Sequence, residues 1–187
     1  MKNLAIFASG SGSNYEAIAE ACTNGKLNAQ VVLLVCDNKD AYVIERAKKY
    51  GTPIFVFHAK DYSSKVDYET QIADLLDIYH VDWVCLAGYM RLIGDTLLAR
   101  YRGRIINIHP SLLPAFKGKN AVEQALEYGV KVLGVTIHYV DESLDGGKII
   151  AQRAYSYEGT DVEEAHRLGH EIEHVLYIDT IRQLIKK

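Results

Sequence analysis

Cysteine is scarce in this chain: Cys22, Cys36 and Cys85 are all there is. They are odd in number and far apart, and two lie inside apolar, strand-like runs. Neither a disulfide framework nor a C-x-x-C redox or metal site is encoded, and the three are expected to be buried free thiols of a reducing cytoplasm. No stretch approaches the roughly 18 uninterrupted apolar residues that a membrane span needs. Met1 to Ala8 carries one lysine and breaks at Ser9-Gly10, too short for the apolar region of a signal peptide. No block of basic residues occurs, and 21 Lys and Arg against 24 Asp and Glu leave a formal net charge of −3. The electrostatic footprint of a nucleic-acid binder is therefore missing. Three prolines and 14 glycines are too few for a collagen-like or disordered chain, while 49% hydrophobic residues supply a core. Without internal repeats, low-complexity tracts or a linker, residues 1–187 are expected to form one domain.

Apolar segments of strand length alternate with amphipathic segments of helix length. Strands are expected at Asn3–Ala8, Val31–Cys36, Pro53–Phe57, Trp83–Ala87, Arg104–His109, Val132–Tyr139 and Gly147–Tyr155. Helices are expected at Ser13–Asn24, Ala41–Tyr50, Ser64–Tyr79, Asp95–Tyr101 and Ala121–Tyr128, with a last one from Thr160 towards Lys187. Thr160-Asp161-Val162-Glu163 has capping-box spacing. Such alternation requires crossover connections and predicts an α/β fold, a doubly wound, Rossmann-like, mostly parallel sheet with helices on both faces. The last two strands follow one another without a helix, so one of them should be antiparallel.

Open parallel sheets bind ligands beyond the carboxyl ends of their strands. Four such ends carry unusual residues. Ser9-Gly10-Ser11-Gly12-Ser13-Asn14 leaves the first strand and opens a helix, where free backbone N–H groups and the helix dipole favour an anion such as phosphate. Tyr15 stands where a dinucleotide fingerprint has its third glycine, and no Gly-Lys-Ser/Thr follows for a Walker A loop. A glycine-rich turn capped by Ser13 is the plainer alternative. Gly88-Tyr89-Met90-Arg91 brings a cation to a second strand exit, suited to a substrate anion or simply to solvent.

Asn107-Ile108-His109-Pro110-Ser111-Leu112-Leu113-Pro114 closes the fifth strand. The two-residue period sets Asn107 and His109 on one face, with Ile106 and Ile108 on the other. Asp141 to Gly147 is a carboxylate loop after the strand that carries Thr136 and His138. An imidazole, a primary amide, a carboxylate and an anion cradle at one sheet edge are the parts of acyl-type transfer. The imidazole moves protons, a neighbouring carboxylate orients it and favours its charged form, and the amide N–H donates to a developing oxyanion. His58, His80 and His138 have no partner at recognisable spacing.

His170-Glu171-Ile172-Glu173-His174 is a literal H-E-x-x-H, the zinc hydrolase pattern of two histidines one turn apart. A third ligand is missing downstream, and Leu168, Ile172, Val175, Leu176 and Ile178 read as the core stripe of an ordinary helix, so no metal is expected.

The Asn107–Pro114 segment and Leu144-Asp145-Gly146-Gly147, with the opening Ser9–Asn14, Leu86–Arg91 and Glu173-His174, resemble the phosphoribosylglycinamide formyltransferases, a folate-dependent family of purine synthesis within the formyltransferase superfamily. The resemblance spans nearly the whole chain. It implies 10-formyltetrahydrofolate as co-substrate, no metal, and transfer of its formyl group to the amine of phosphoribosylglycinamide. It implies that Asn107, His109 and Asp145 are catalytic, that Gly12, Ser13 and Asn14 hold the ribose phosphate, and that Glu173 meets the glycinamide end. Met90, Arg91, Leu92 and Ile93, with Asn107, would line the folate pocket, Arg91 near the pterin or formyl end and Lys65 at the folate tail. The amine proton would reach the leaving nitrogen by way of His109 or a water. The expected partners are small molecules, with no nucleic acid or membrane, for a cytoplasmic monomer or homodimer. A different amine acceptor, hydrolysis of the formyl folate, or a non-catalytic sensor of a phosphorylated metabolite are the competing functions.

Overall fold

A computed structural model describes residues 1–186. Lys187, towards which the last helix was expected to run, lies outside them. The strands are β1 (Lys2–Ala8), β2 (Ala29–Cys36), β3 (Ile54–Val56), β4 (Trp83–Leu86), β5 (Ile105–His109), β6 (Val132–Tyr139) and β7 (Ile149–Ser156). The helices are α1 (Ser13–Thr23), α2 (Val43–Lys49), α3 (Lys65–Ile78), α4 (Asp95–Tyr101), α5 (Ala121–Tyr128) and α6 (Val162–Leu184), with one 3₁₀ turn at Ala59–Asp61 that sequence periodicity does not signal.

One seven-stranded sheet runs in the order β3-β2-β1-β4-β5-β6-β7. The first five strands are mutually parallel, whereas β6 runs against both β5 and β7. The expected α/β architecture with a late antiparallel strand is what forms. Parallel strands buried on both faces must be apolar throughout, and Leu4 to Ala8 are fully buried. Alternate residues feed two cores. Leu4, Ile6, Ile106 and Ile108 pack under α1, α2 and α6 with Ile18, Leu176 and Ile181. Ala5, Phe7, Val35 and Val84 pack under α3 and α4 with Ile72, Leu76, Leu97 and Leu98. Each fully buried Leu, Ile or Val contributes roughly 1.5–3 kcal/mol of transfer free energy, so these layers dominate the favourable side of folding.

Several boundaries differ in informative ways. The N-cap of α6 is Asp161, not Thr160: its carboxylate accepts from the N–H groups of Glu163 and Glu164 at 2.9 and 3.2 Å. Asp and Thr compete for that role at adjacent positions, and the carboxylate also meets the positive end of the dipole. The buried stripe of α6 is Ala165, Gly169, Glu173, Leu176, Tyr177, Thr180, Ile181 and Leu184, and Val175 is exposed. At 3.6 residues per turn Val175 lies about 100° from Leu176, beyond a stripe centred on Glu173 and Tyr177. Val66 on α3 is exposed as well, because Tyr68, Ile72 and Leu76 make that helix's contact. Cys36 and Cys85 are buried, while Cys22 is half-buried on α1. Burial pushes the Cys22 thiol up to about 11 and that of Cys85 to about 12.

The chain order reverses between β1 and β4, both central, and this is where an open α/β sheet has its crevice. The segments that leave these two strands touch there. The Ser9 N–H donates to the Gly88 carbonyl at 3.0 Å, and the Met90 N–H donates to Ser9 Oγ at 2.9 Å. Behind the crevice, the buried Tyr177 hydroxyl of α6 donates to the Leu86 carbonyl at 2.9 Å.

Candidate active site

The loop after β1 turns into α1 through Gly12, whose φ of 78° is the left-handed conformation that favours glycine. A Cβ at this position would also run into the Val43 side chain, so α2 approaches too closely for any larger residue. Gly12, not Ser13, is the N-cap, and no side chain occupies the orphan N–H groups of the first turn. Asn14, in that turn, is buried; its Nδ2 donates to Glu173 Oε2 at 2.9 Å and its Oδ1 has no partner. Burial pushes the Glu173 carboxyl above the usual carboxylate range, against the Asn14 hydrogen bond and the nearby imidazoles of His170, His166 and His109, which lower it.

At the β4 exit Ile93 is buried, while Met90 and Leu92 present apolar surface. Arg91 turns towards β2: its Nε donates to Asp37 Oδ2 at 2.8 Å, and the guanidinium lies over the Phe57 and Tyr68 rings at 6.0 and 5.9 Å from their centroids. Asp37 also accepts from Ser9 Oγ at 2.5 Å, tying the exits of β1, β2 and β4 together. Lys65 opens α3 with its Nζ 4.0 Å from Glu69 Oε1. The buried Glu69 carboxylate accepts the Gly94 N–H at 2.7 Å, closing the Met90–Ile93 segment; burial raises its carboxyl.

On β5, Asn107 and His109 share one face, as the strand period requires, and the cross-strand partner of Asn107 is His138 on β6. His109 Nδ1 lies 3.6 Å from Asp145 Oδ2, an ion-pair distance rather than a hydrogen bond, and its Nε2 donates to the Phe116 carbonyl at 2.8 Å. Both ring nitrogens thus face oxygen acceptors, the arrangement that satisfies an imidazolium. Asp145 additionally accepts the Gly118 N–H at 2.8 Å. Thr136, on the same face of β6, donates to the Ser111 carbonyl at 2.7 Å and accepts from the Leu113 N–H at 3.1 Å. It thereby pins the Pro110–Pro114 loop, in which the Leu113-Pro114 bond is cis.

His138 is the member that sequence reasoning missed. Its Nδ1 donates to the Tyr139 carbonyl at 2.9 Å, which leaves Nε2 as an acceptor for Asn107 Nδ2 at 3.2 Å. Asp145 Oδ1 is 3.9 Å away. Burial pushes the His138 imidazole below its ordinary value, so the neutral tautomer that this pairing needs is favoured near neutral pH. The signal available in the sequence was its shared strand face with Thr136, opposite the Asn107–His109 pair.

The H-E-x-x-H segment does not assemble. The His170 and His174 rings lie parallel at 6.4 Å, Glu171 is exposed and paired with Arg167, and His174 Nε2 is buried without a partner. Among the described residues no three His, Cys, Asp or Glu side chains cluster as metal ligands.

A cavity of about 800 Å³ joins these elements. On its wall are Gly12, Ser13, Asn14 and Glu173 of the cradle, Asn107, His109 and Asp145, and Lys65 with Met90 to Ile93. Every site residue expected from the sequence lies on it, together with His138, His166 and His170, which were not expected there. The sequence profile described as "Formyl transferase" matches residues 2–181 of the chain. The chain belongs to the formyl transferase family. This formyl transferase is 50% identical over 186 residues to the phosphoribosylglycinamide formyltransferase of Bacillus subtilis (strain 168), covering 99% of this chain and 95% of that protein. The crystal structure of phosphoribosylglycinamide formyltransferase from Bacillus halodurans superposes with a TM-score of 0.96 at 50% identity, covering 100% of this chain and 96% of that one. Glycinamide ribonucleotide transformylase 1 from Geobacillus kaustophilus does so with a TM-score of 0.95 at 53% identity, covering 98% of each chain. Among the described residues no helix is long and apolar enough to cross a membrane.

Proposed function

We infer that this formyl transferase moves the formyl group of 10-formyltetrahydrofolate onto the amine of phosphoribosylglycinamide, giving the formylated amide and tetrahydrofolate. The observation that carries the reading is one cavity whose wall holds both an anion cradle, Gly12 to Asn14, and an amide, imidazole and carboxylate set, Asn107, His109 and Asp145. The names and near-complete coverage of the relatives support the same substrates. On this reading residues 1–187 are a single domain that acts on small molecules in the cytoplasm, as a monomer or homodimer.

The cradle takes the ribose phosphate on free N–H groups at the start of α1. Glu173 faces the glycinamide end. The apolar side chains of Met90, Leu92 and Ile93 cover the folate, with Lys65 at its anionic tail. Arg91 acts from the rim: its hydrogen bond to Asp37 commits the guanidinium to holding the wall.

The substrate amine attacks the formyl carbon and a C–N bond forms as negative charge gathers on the formyl oxygen. Asn107 donates one amide N–H to His138 and keeps the other for that oxygen. One such preorganised donor is worth about 3–4 kcal/mol in the transition state. His109 supplies the second donor when its Nε2–H exchanges the Phe116 carbonyl for that oxygen, with Asp145 at Nδ1 compensating its charge. Collapse breaks the bond from the formyl carbon to the folate nitrogen, which receives the proton the amine gives up, by way of His109 or a water.

A spectrophotometric assay of the pure protein with phosphoribosylglycinamide and a 10-formyl folate analogue tests this. Release of deformylated folate that depends on the amine is the expected result. Release at the same rate without amine would make the protein a hydrolase, and no release in either case would move the function to another acceptor or to sensing.

A further inference from the structure

Helix α2 packs against the back of the anion cradle, and the transfer chemistry makes no use of it. The Val43 N–H donates to the Gly10 carbonyl at 3.1 Å, and Arg46 Nε donates to the Ser11 carbonyl at 2.8 Å. Two successive loop carbonyls are therefore drawn away from the cavity by donors on one helix. Trans peptide geometry then sends the N–H groups of the following residues towards the opposite side, where an anion sits. The Arg46 guanidinium also pairs with Glu16, which Lys49 Nζ meets at 3.3 Å. Glu16 is the acidic residue in the first turn of α1. Left uncompensated, a carboxylate there would repel an incoming phosphate from the helix terminus that attracts it.

We propose that Arg46 is a positioning residue for the phosphate subsite, holding the Ser11 carbonyl away from the cavity and masking the charge of Glu16. The proposal rests on the reading of Gly12 to Asn14 as the phosphate cradle. Arg46 touches no reacting atom, so its effect falls on capture of the phosphorylated substrate and not on the chemical step.

The test measures competitive inhibition by inorganic phosphate together with the KM of each substrate. For Arg46→Met, the Ki of phosphate and the KM of phosphoribosylglycinamide rise about tenfold, the scale of one charge-assisted hydrogen bond, while kcat and the KM of the formyl folate stay within about twofold. Arg46→Lys keeps the charge beside Glu16 but has no Nε–H for Ser11, and a rise of about threefold is expected. Arg46→Lys also carries the test if the Met variant does not fold. A phosphate Ki unchanged in Arg46→Lys overturns the proposal, as does a parallel loss of kcat, both KM values and melting temperature. Failure of phosphate to compete in the wild-type protein would instead overturn the cradle reading itself.

Discussion

Replacing Asp145 by asparagine removes a charge and little else. The amide keeps the side-chain shape and an oxygen for the Gly118 N–H that Asp145 accepts at 2.8 Å, so the loop stays anchored. The loss falls on His109, whose Nδ1 stands 3.6 Å from the carboxylate, with the two side chains only 6% and 11% exposed. At that separation and an effective dielectric of about 20, a unit pair attracts by roughly 4–5 kcal/mol. If the transition state carries an imidazolium, that attraction is part of its stabilisation. Each 1.4 kcal/mol or so is tenfold in rate, so kcat should fall by about three powers of ten. This agrees with the ~10²–10⁴ range of positioned acid–base groups. Steady-state kinetics near pH 7.5, with both KM values within about threefold of wild type and an unchanged melting temperature, completes the expected picture. A folded Asp145→Asn protein that retains a kcat within about tenfold of wild type would refute the charge argument, whatever the position of the side chain.

Burial holds the Glu173 carboxyl above its ordinary value, so on raising the pH the unfolded chain releases this proton first. The group's contribution to stability is whole below the ordinary carboxylate range and is lost as pH climbs through the raised folded value. Glu173→Gln should therefore melt above wild type near pH 8 and converge with it towards about pH 4, while its KM for phosphoribosylglycinamide rises; a stability gain that grows on acidification would contradict this. Gly12→Ala forces a Cβ into a left-handed residue packed on Val43 and should cost about 2 kcal/mol or more, a fall in melting temperature of roughly 4–8 °C. Melting within about 1 °C of wild type would show that α2 yields easily. Tyr177→Phe deletes the buried hydroxyl that donates to the Leu86 carbonyl and should cost about 1–2 kcal/mol in denaturant titrations, with the slope m unchanged. No change in the midpoint would mean the sheet supplies that carbonyl with another donor.

The strands and helices were legible because each signal is local. Buried parallel strands are mostly apolar, so the two polar residues of β5, Asn107 and His109, stand out, and α4, α5 and β6 begin and end where the periodicity and flanking glycines place them. The start of α6 was ambiguous because Thr160 and Asp161 are both good caps, and only the backbone decides between them. Asn107, His109 and the Ser9–Asn14 loop were found by looking beyond strand ends. That search passes over His138, since it looks at the segment after each strand, whereas His138 lies within antiparallel β6 and meets the site only through its cross-strand partner Asn107. Asp37 was within the reach of the same search, standing directly after β2, but nothing in its neighbours marks it as the partner of Arg91, 54 residues away. Arg46 lies further out of reach: its role depends on a side chain meeting a loop carbonyl 35 residues earlier.

The thiols described with the fold make the protein its own stopwatch. Cys36 lies on β2 and Cys85 on β4, the two strands flanking β1, and Cys22 lies on the helix above. Only a thiolate reacts quickly with an alkylating reagent, and with Cys22 at about 11 and Cys85 at about 12 almost none exists in the closed molecule. Labelling of Cys85, buried in the sheet, must then wait for the centre of the sheet to part, whereas the half-buried Cys22 needs only local loosening of α1. The interval between the two events would time how far the cradle's helix opens independently of the strands beneath it.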